Sequence, residues 1–282
     1  MTTFGARLQE TVRARGPLCA GIDPHPGLLH DWGLDDTVEG LERFALGAAE
    51  ALAPHVAVVK PQSAFYERFG SRGVAVLERL IATVRDAGAL VLLDVKRGDI
   101  GSTSQAYADA YLDPFSPLAA DAITASPFLG FGSLAPMIDT ARAHDRGVFV
   151  LALTSNKEGP EVQAARADGD RTVADVVLDH LRDLNCDAEP LGSFGAVVGA
   201  TLGELHADLD INGPLLAPGY GDQGGTLDDL RRIFGTALPY VLPSTSRELL
   251  RQGPDATALA DAARRGNDDL RELALLDGIR PD

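Results

Sequence analysis

The sequence predicts a single-domain (β/α)8 barrel, and three observations support this fold class. Eight short apolar runs of the kind that forms strands alternate with amphipathic helical stretches along the 282 residues. Each run is continuously apolar, as parallel strands covered by helices should be. No stretch rich in Pro, Gly and Ser divides the chain, so we expect one domain over residues 1–282. An open doubly wound sheet is the alternative, but no strong Gly-rich dinucleotide fingerprint follows the first strand.

The eight predicted strands follow one another from end to end of the chain. They are residues 17–23, 56–60, 90–96, 121–126, 148–155, 194–200, 214–219 and 240–245. Helical spacing of apolar residues occupies most intervals between them, at 38–53, 73–88, 104–112, 134–145, 172–184 and 227–235. A long last helix is predicted from Asp255 to about Asp277.

Residues 156–172, NKEGPEVQAARADGDRT, form the least regular region. They follow the fifth predicted strand and carry many charges without a clear apolar stripe. On a (β/α)8 barrel such a loop lies over the mouth at the carboxyl ends of the strands, where the active sites of these barrels are built. We therefore predict a lid at 156–172.

The charge balance argues against two classes of partner. The formal net charge is −16 at pH 7, and a chain this acidic repels nucleic-acid phosphates and anionic lipid. We expect neither nucleic acid nor membrane as a partner. A small anionic substrate is still compatible with this charge, because the field inside a pocket depends mostly on the few Lys and Arg side chains nearby.

Cysteine usage and the absence of long apolar stretches predict a cytoplasmic protein. Both cysteines, Cys19 and Cys186, stand beside apolar residues, which predicts buried, reduced thiols. The first residues lack the apolar core of a signal peptide, and no later stretch approaches the roughly 20 apolar residues of a membrane span.

Charged residues crowd the end of the third predicted strand, in LLDVKRGDIGST. Asp94 and Lys96 are two positions apart, so on a regular strand they point to the same face. Asp99 falls in the following loop. Lys60 ends the neighbouring second strand, so that barrel closure would produce an alternating array of lysines and aspartates. Such an array is either catalytic or a structural ion-pair network, since buried charges must be paired.

Two loops at the other side of the predicted mouth are suited to bind phosphate. APGYGDQGG follows the seventh strand and contains Gly219, Gly221, Gly224 and Gly225, and PSTSRELL follows the eighth and contains Arg247. Barrels often build a phosphate site from these two loops, with backbone N–H groups and a helix N-terminus. Arg247 can hold a phosphate through two parallel hydrogen bonds. Alternatively, the glycines only shape a turn and Arg247 is a solvated side chain.

The motif D-x-K-x-x-D at Asp94, Lys96 and Asp99, with Ile100 and Thr103 following, resembles the signature of the orotidine 5'-phosphate decarboxylase family. KRGDIGST followed by AYADAYL is similar to the longer bacterial subfamily, and GIDPHP at 21–26 is similar to its first strand. The resemblance covers essentially the whole chain. It implies a (β/α)8 homodimer with shared active sites, which converts orotidine 5'-monophosphate to uridine 5'-monophosphate without metal or organic cofactor.

The resemblance also implies roles for individual residues. Lys96 would protonate C6 of the pyrimidine, with Asp94 near the departing carboxylate and Lys60 completing the network. Asp99 would reach in from the partner subunit, and Ile100 and Thr103 would follow it to the substrate. The remaining substrate contacts would come from Asp23 to the ribose, Ser155 to the pyrimidine amide, and Gln223 and Arg247 to the phosphate.

Several of these assignments have alternatives in the sequence itself. Asn156 can take the role of Ser155, because TSNKEG departs from the commoner short-subfamily pattern. Asp23 before Pro24 can simply cap a turn, and Thr103 can cap the helix that follows it. Asp23 with His25 lacks a third metal ligand at matching spacing, so we predict no metal site there.

Chemistry explains why such a reaction needs this array. Loss of CO2 from C6 leaves a lone pair in the ring plane, where the π-system cannot delocalise it, so stabilisation has to be electrostatic. An ammonium aimed at C6 supplies it and also holds the proton, and flanking carboxylates favour its charged form. Two other readings remain open: a Mg2+-dependent sugar-phosphate barrel of the D-x-K-x-x-D type, and a non-catalytic nucleotide-binding barrel.

Overall fold

The chain folds into a closed barrel of eight parallel strands. The computed structural model describes residues 2–203, 205 and 207–275. The barrel strands are β1 (Cys19–Ile22), β2 (Val58–Pro61), β3 (Leu90–Arg97), β4 (Ala122–Ala125), β5 (Gly147–Leu153), β8 (Phe194–Val198), β9 (Leu215–Pro218) and β10 (Val241–Thr245). Each pairs with its neighbours in chain order, and β1 pairs with β10 to close the barrel. The predicted fold class is confirmed.

Helices surround the barrel. They are α1 (Phe4–Arg15), α2 (Pro26–Asp31), α3 (Val38–Leu52), α4 (Ala64–Glu67), α5 (Gly70–Asp86), α6 (Gly101–Leu112), α7 (Ala135–Ala143), α8 (Pro160–Gln163), α9 (Val173–Asn185), α10 (Leu227–Phe234), α11 (Arg247–Leu250) and α12 (Ala256–Leu275). Short 3-10 helices span Ala53–His55, Phe131–Leu134 and Gly235–Tyr240. Capping fixes several starts: Thr172 and Thr226 each accept from the N–H three residues on, and their own N–H groups donate to Asp175 and Asp229.

Two apolar clusters hold the layers together. The larger lies between the strands and the outer helices. The smaller fills the barrel interior, and Phe4 and Leu8 of α1 belong to it, with the Phe4 ring packed against Phe149 at the amino-terminal end. Gly147 leaves the room for Phe4, because a Cβ there would meet the phenyl ring. The barrel interior is therefore filled at the amino-terminal ends of the strands, and the carboxyl ends are left for a site.

The structure differs from the sequence-based expectations at several boundaries. Helix α6 begins at Gly101, so Thr103 lies inside it and does not cap it. Cys19 is buried as expected, but Cys186 follows α9 and is exposed, so its prediction as a buried thiol was wrong. The last helix ends at Leu275, and Asp277 lies outside the described residues.

The predicted lid, residues 156–172, contains more regular structure than its sequence suggested. It includes α8 and a small antiparallel pair of strands, β6 (Arg166–Asp168) and β7 (Arg171–Thr172). Gln163 at the end of α8 ties this segment to the barrel: its side-chain oxygen accepts from the Thr154 N–H at 2.9 Å, and its nitrogen donates to Thr154 Oγ1 at 2.7 Å. A lid function for this segment stays a prediction.

Over the part of the chain that the structure describes, helices lack the combination of length and apolar character that a bilayer crossing requires.

Candidate active site

A cavity of about 410 Å³ opens at the carboxyl ends of the strands. All eight barrel strands, or the residues directly after them, contribute to its wall. Its lining includes Asp23, His25, Lys60, Gln62, Asp94, Lys96, Thr124, Thr154, Ser155, Gly219, Asp222, Gln223, Thr245, Ser246 and Arg247. A cavity of this size at this end of such a barrel is suited to a nucleotide-sized molecule.

The carboxylate of Asp94 lines the cavity and lies between two lysines. Lys60 Nζ lies 3.1 Å from one of its oxygens and Lys96 Nζ lies 2.6 Å from the other. Asp94 and Lys60 are buried, whereas the Lys96 side chain is 43% exposed and lines the cavity. A single chain therefore forms the part of the expected array that consists of Lys60, Asp94 and Lys96.

Burial and charge oppose one another in this array. Burial by itself would lower the pKa of Lys60, but the carboxylates of Asp94 and Asp23 outweigh it and raise that pKa above its ordinary value. Burial would raise the pKa of Asp94, but Lys60, Lys96 and the Thr124 hydroxyl hold it well below its usual range. Both groups are therefore charged around neutral pH.

Lys96 has a backbone conformation that is rare for a residue with a side chain. Its φ is +46°, in the left-handed region, which costs on the order of 1–3 kcal/mol and persists only where the surroundings impose it. Strand β3 is irregular here, since its register with β4 shifts between Leu93 and Arg97. The expectation that Asp94 and Lys96 share a face was met, but through this bulge and not through regular alternation.

Thr124 at the end of β4 is a residue that the sequence reasoning missed. It is 1% exposed, accepts a hydrogen bond from the Lys96 N–H at 2.9 Å and donates one to Asp94 at 2.7 Å. A polar residue at the end of the predicted fourth strand, next to the charged third strand, was the available signal.

The two residues expected to contact ribose and base both line the cavity. Asp23 is buried, and its carboxylate accepts from the Gln62 N–H at 3.3 Å. Ser155 lines the cavity, whereas Asn156 makes local hydrogen bonds with Thr154 and Glu158 and is not part of the wall. Of these two residues, Ser155 is therefore the one in position to contact a molecule in the cavity.

The proposed phosphate-binding loops lie at one side of the cavity. Gln223, Arg247 and Gly219 line it, whereas Gly221, Gly224 and Gly225 lie outside and shape the loop. Gly225 is needed for close packing, because a Cβ there would lie 2.7 Å from the Gly219 carbonyl oxygen. Gly221 donates to the Gly225 carbonyl at 2.9 Å, which keeps the loop compact. Only one of the four glycines is therefore placed beside the cavity.

Other polar groups at this side were not foreseen. Asp222 has its carboxylate between Arg251 and Arg247, 3.8 Å from the latter. The buried hydroxyl oxygens of Thr245 and Ser246 have no hydrogen-bond partner among the residues that the structure describes. Buried polar atoms normally find partners, so these two oxygens need a partner that the described residues do not supply.

Asp99, Ile100 and Thr103 lie away from this cavity. Asp99 accepts only from the following N–H, at 2.8 Å, among the hydrogen bonds found in the described part of the chain. Ile100 is 61% exposed, and Thr103 is exposed on the first turn of α6. The single chain thus does not bring these three residues together with Lys96.

His25 packs against Phe65, with ring centroids 4.2 Å apart, at the cavity edge. Burial is the main cause that lowers the pKa of His25, and the charge of the neighbouring Arg247 lowers this pKa further. Within residues 2–203, 205 and 207–275, no group of three or more His, Cys, Asp and Glu side chains is arranged to hold a metal ion.

Comparisons with known proteins agree on one family. Residues 16–260 match the model of the orotidine 5'-phosphate decarboxylase / HUMPS family. Orotidine 5'-phosphate decarboxylase of Nocardioides sp. is 69% identical over 275 residues, which cover 96% of this chain and 100% of the relative. That of Salinispora arenicola is 65% identical over 272 residues, or 96% of this chain and 98% of the relative.

Solved structures that are similar to this chain have descriptions that name the same activity as these relatives. A Streptomyces avermitilis protein described as an orotidine 5'-phosphate decarboxylase is 60% identical, with a TM-score of 0.95 over 98% of this chain and 97% of its own. The OMP decarboxylase of Leishmania donovani is 31% identical, with a TM-score of 0.75 over 97% of this chain and 100% of its own.

Proposed function

Because the chain belongs to the orotidine 5'-phosphate decarboxylase / HUMPS family, we propose that it decarboxylates orotidine 5'-monophosphate to uridine 5'-monophosphate without a cofactor. The enzyme is a carbon–carbon lyase of pyrimidine biosynthesis. The observation that carries the proposal is the array of buried Lys60, buried Asp94 and half-exposed Lys96, in the same cavity as Arg247.

In the proposed reaction the bond between C6 and the carboxylate breaks, and its electron pair stays on C6. The Lys96 ammonium stabilises this pair through space and then donates its proton to C6, so that CO2 and uridine 5'-monophosphate result. The half-exposed Lys96 side chain and its contact with a fixed carboxylate support this role. A preorganised charge does not have to reorient during the reaction, and that is where its advantage over water lies.

The substrate phosphate is proposed to bind at the other side of the cavity, with Arg247 and Gln223. Support comes from their position in the wall and from the hydroxyls of Thr245 and Ser246 beside them, for which the described part of the chain offers no hydrogen-bond partner. The neutral form of His25, favoured by its lowered pKa, adds no further charge there. Binding energy from the phosphate would then hold the pyrimidine over Lys96. Such positioning of the reacting groups can account for a large part of an enzyme's rate acceleration.

We propose a homodimer in which Asp99, Ile100 and Thr103 serve the partner's cavity. Their position outside the chain's own cavity supports this. So do the exposed apolar side chains of Phe128 and Leu129, which are 74% and 53% exposed in the loop after β4, since exposed apolar patches mark interaction sites. We also propose a cytoplasmic location, which the two free thiols support.

The test is an absorbance assay that follows loss of orotidine 5'-monophosphate by the purified protein. We expect activity without added metal that survives EDTA. Loss of activity with EDTA and its return with Mg2+ would instead support the metal-dependent sugar-phosphate barrels.

Lys96→Ala separates catalysis from binding. We expect turnover to fall by at least about 10³-fold, because the variant loses both the charge and the proton donor. Uridine 5'-monophosphate should still bind, which shows that the variant is folded. A near-normal rate in this variant would mean that another group protonates C6, and binding without turnover in the unmodified protein would favour the non-catalytic barrel.

A further inference from the structure

A bulge in β3 places three residues opposite one. Leu92 pairs with Ala122 and Leu93 with Ile123, and the next pair is Arg97 with Ala125. Asp94, Val95 and Lys96 therefore face Thr124 alone. A bulge interrupts the regular ladder of backbone hydrogen bonds and is commonly used near active sites to aim a side chain.

The hydroxyl of Thr124 fills the gap that the bulge creates. Its oxygen accepts from the Lys96 N–H at 2.9 Å, and its hydrogen is donated to Asp94 Oδ1 at 2.7 Å. The same Oδ1 accepts from Lys96 Nζ at 2.6 Å. Lys96 is thus fixed relative to one carboxylate oxygen at two points. Its side-chain ammonium contacts this oxygen directly, and its backbone N–H is linked to it through the Thr124 hydroxyl.

Packing alone does not require this hydroxyl. Thr124 is only 1% exposed, and valine has nearly the same shape. Within the described structure, both of its hydrogen bonds are made to Asp94 and Lys96. The left-handed backbone of Lys96 needs such an imposed contact, because a residue with a Cβ does not favour φ of +46°.

We propose that Thr124 is a positioning residue that holds Lys96 in its left-handed conformation and orients the Asp94 carboxylate toward it. This inference rests on the proposed function, in which Lys96 is the proton donor. It assigns a role to a residue outside the D-x-K-x-x-D motif and to a hydroxyl that does not itself have to touch the reacting atoms.

The test compares Thr124→Val, which removes the hydroxyl, with Thr124→Ser, which keeps it. We expect Thr124→Val to lower kcat by about 10- to 100-fold, since small misplacements of a catalytic group have effects of this size. Its affinity for uridine 5'-monophosphate should stay within about threefold of the unmodified protein, because the phosphate contacts are untouched. Thr124→Ser should keep kcat within about threefold.

Thr83→Val is the matched control. Its hydroxyl donates to the Arg79 carbonyl within α5, outside the cavity lining, so the same chemical change should leave kcat unaltered. Thermal unfolding of all variants separates lost positioning from lost stability. If Thr124→Val does not fold, Thr124→Ala against Thr124→Ser isolates the hydroxyl in the same way.

A kcat in Thr124→Val equal to that of the unmodified protein overturns the inference, even if its unfolding temperature falls. An equal loss in Thr124→Ser and Thr124→Val also overturns it, because the methyl group and not the hydroxyl would then matter. If the unmodified protein itself does not decarboxylate orotidine 5'-monophosphate, the proposed function fails first, and this result is visible before any variant is compared.

Discussion

At the scale of single residues, Lys60 and Asp94 show how a buried charge is kept. Removing such ions from water costs several kcal/mol each. Their attraction at 3.1 Å returns about 5 kcal/mol at an effective dielectric constant of about 20. The second lysine and the Thr124 hydroxyl supply further donors to the same carboxylate. The charges are maintained because they satisfy one another, and Lys96 is the most exposed of the three side chains in the array.

The two cysteines should differ sharply in reactivity. Burial raises the pKa of Cys19 to about 12, so that at pH 7 to 9 its thiol is both inaccessible and protonated, whereas Cys186 is exposed. A thiol-specific chromogenic reagent should therefore modify one thiol per native chain and two after denaturation.

Cys186→Ser is the control for this titration. Its native form should show no reactive thiol over the same pH range, because only Cys19 remains. Modification of two thiols in the native protein would contradict the buried position of Cys19 in the barrel.

At the scale of elements, the loop of residues 219–225 places a negative charge beside the proposed phosphate contact. Asp222 lines the cavity and lies 3.8 Å from Arg247, while its other oxygen contacts Arg251. Only 18% of the Asp222 side chain is exposed. A phosphate bound to Arg247 would compete with this carboxylate and be repelled by it.

Asp222→Asn should therefore improve substrate binding. We expect KM for orotidine 5'-monophosphate to fall roughly threefold to tenfold, which corresponds to about 0.7–1.4 kcal/mol, while kcat changes little because Lys96 is unaffected. Steady-state kinetics at fixed ionic strength measure both constants.

Asp228→Asn is the matched control, since Asp228 forms an exposed pair with Arg231 on α10 at 2.8 Å. It removes the same charge outside the cavity lining and should leave KM unaltered. An unchanged or higher KM in Asp222→Asn would mean that Asp222 supports the loop more than it repels the phosphate.

At the scale of the whole molecule, the proposed dimer divides one active site between two chains. Lys96 lies in the chain's own cavity, and Asp99 lies outside it. A two-fold axis would bring each Asp99 to the other chain's site, so one defective residue in each chain need not disable both sites.

Mixed dimers of Lys96→Ala and Asp99→Ala chains should regain activity. In a hybrid, one site has both native residues and the other has neither. With random pairing of equal amounts, half of the dimers are hybrids, so about a quarter of all sites should be active. Co-expression with two affinity tags, followed by the absorbance assay, measures this recovery.

Lys96→Ala mixed with Lys60→Ala is the control, because both residues belong to the same cavity and no hybrid site is complete. No recovery in the Lys96→Ala and Asp99→Ala mixture would show that Asp99 does not act across a dimer.

The sequence alone determined the barrel, because continuous apolar runs and amphipathic helices are local patterns that each segment carries by itself. All eight strands lie where they were predicted, to within a few residues. It also determined which charged residues stand at strand ends, since Lys60, Asp94 and Lys96 close apolar runs.

Only the tertiary structure decided how these residues meet. The bulge that turns Lys96 back toward Asp94, the hydroxyl of Thr124 from the next strand, and the approach of Asp222 to Arg247 all depend on register and loop packing between distant segments. The physical reason is that a buried polar group must find a hydrogen-bond partner, and the packing of distant segments decides which partner is near enough. No local pattern in the chain records that choice.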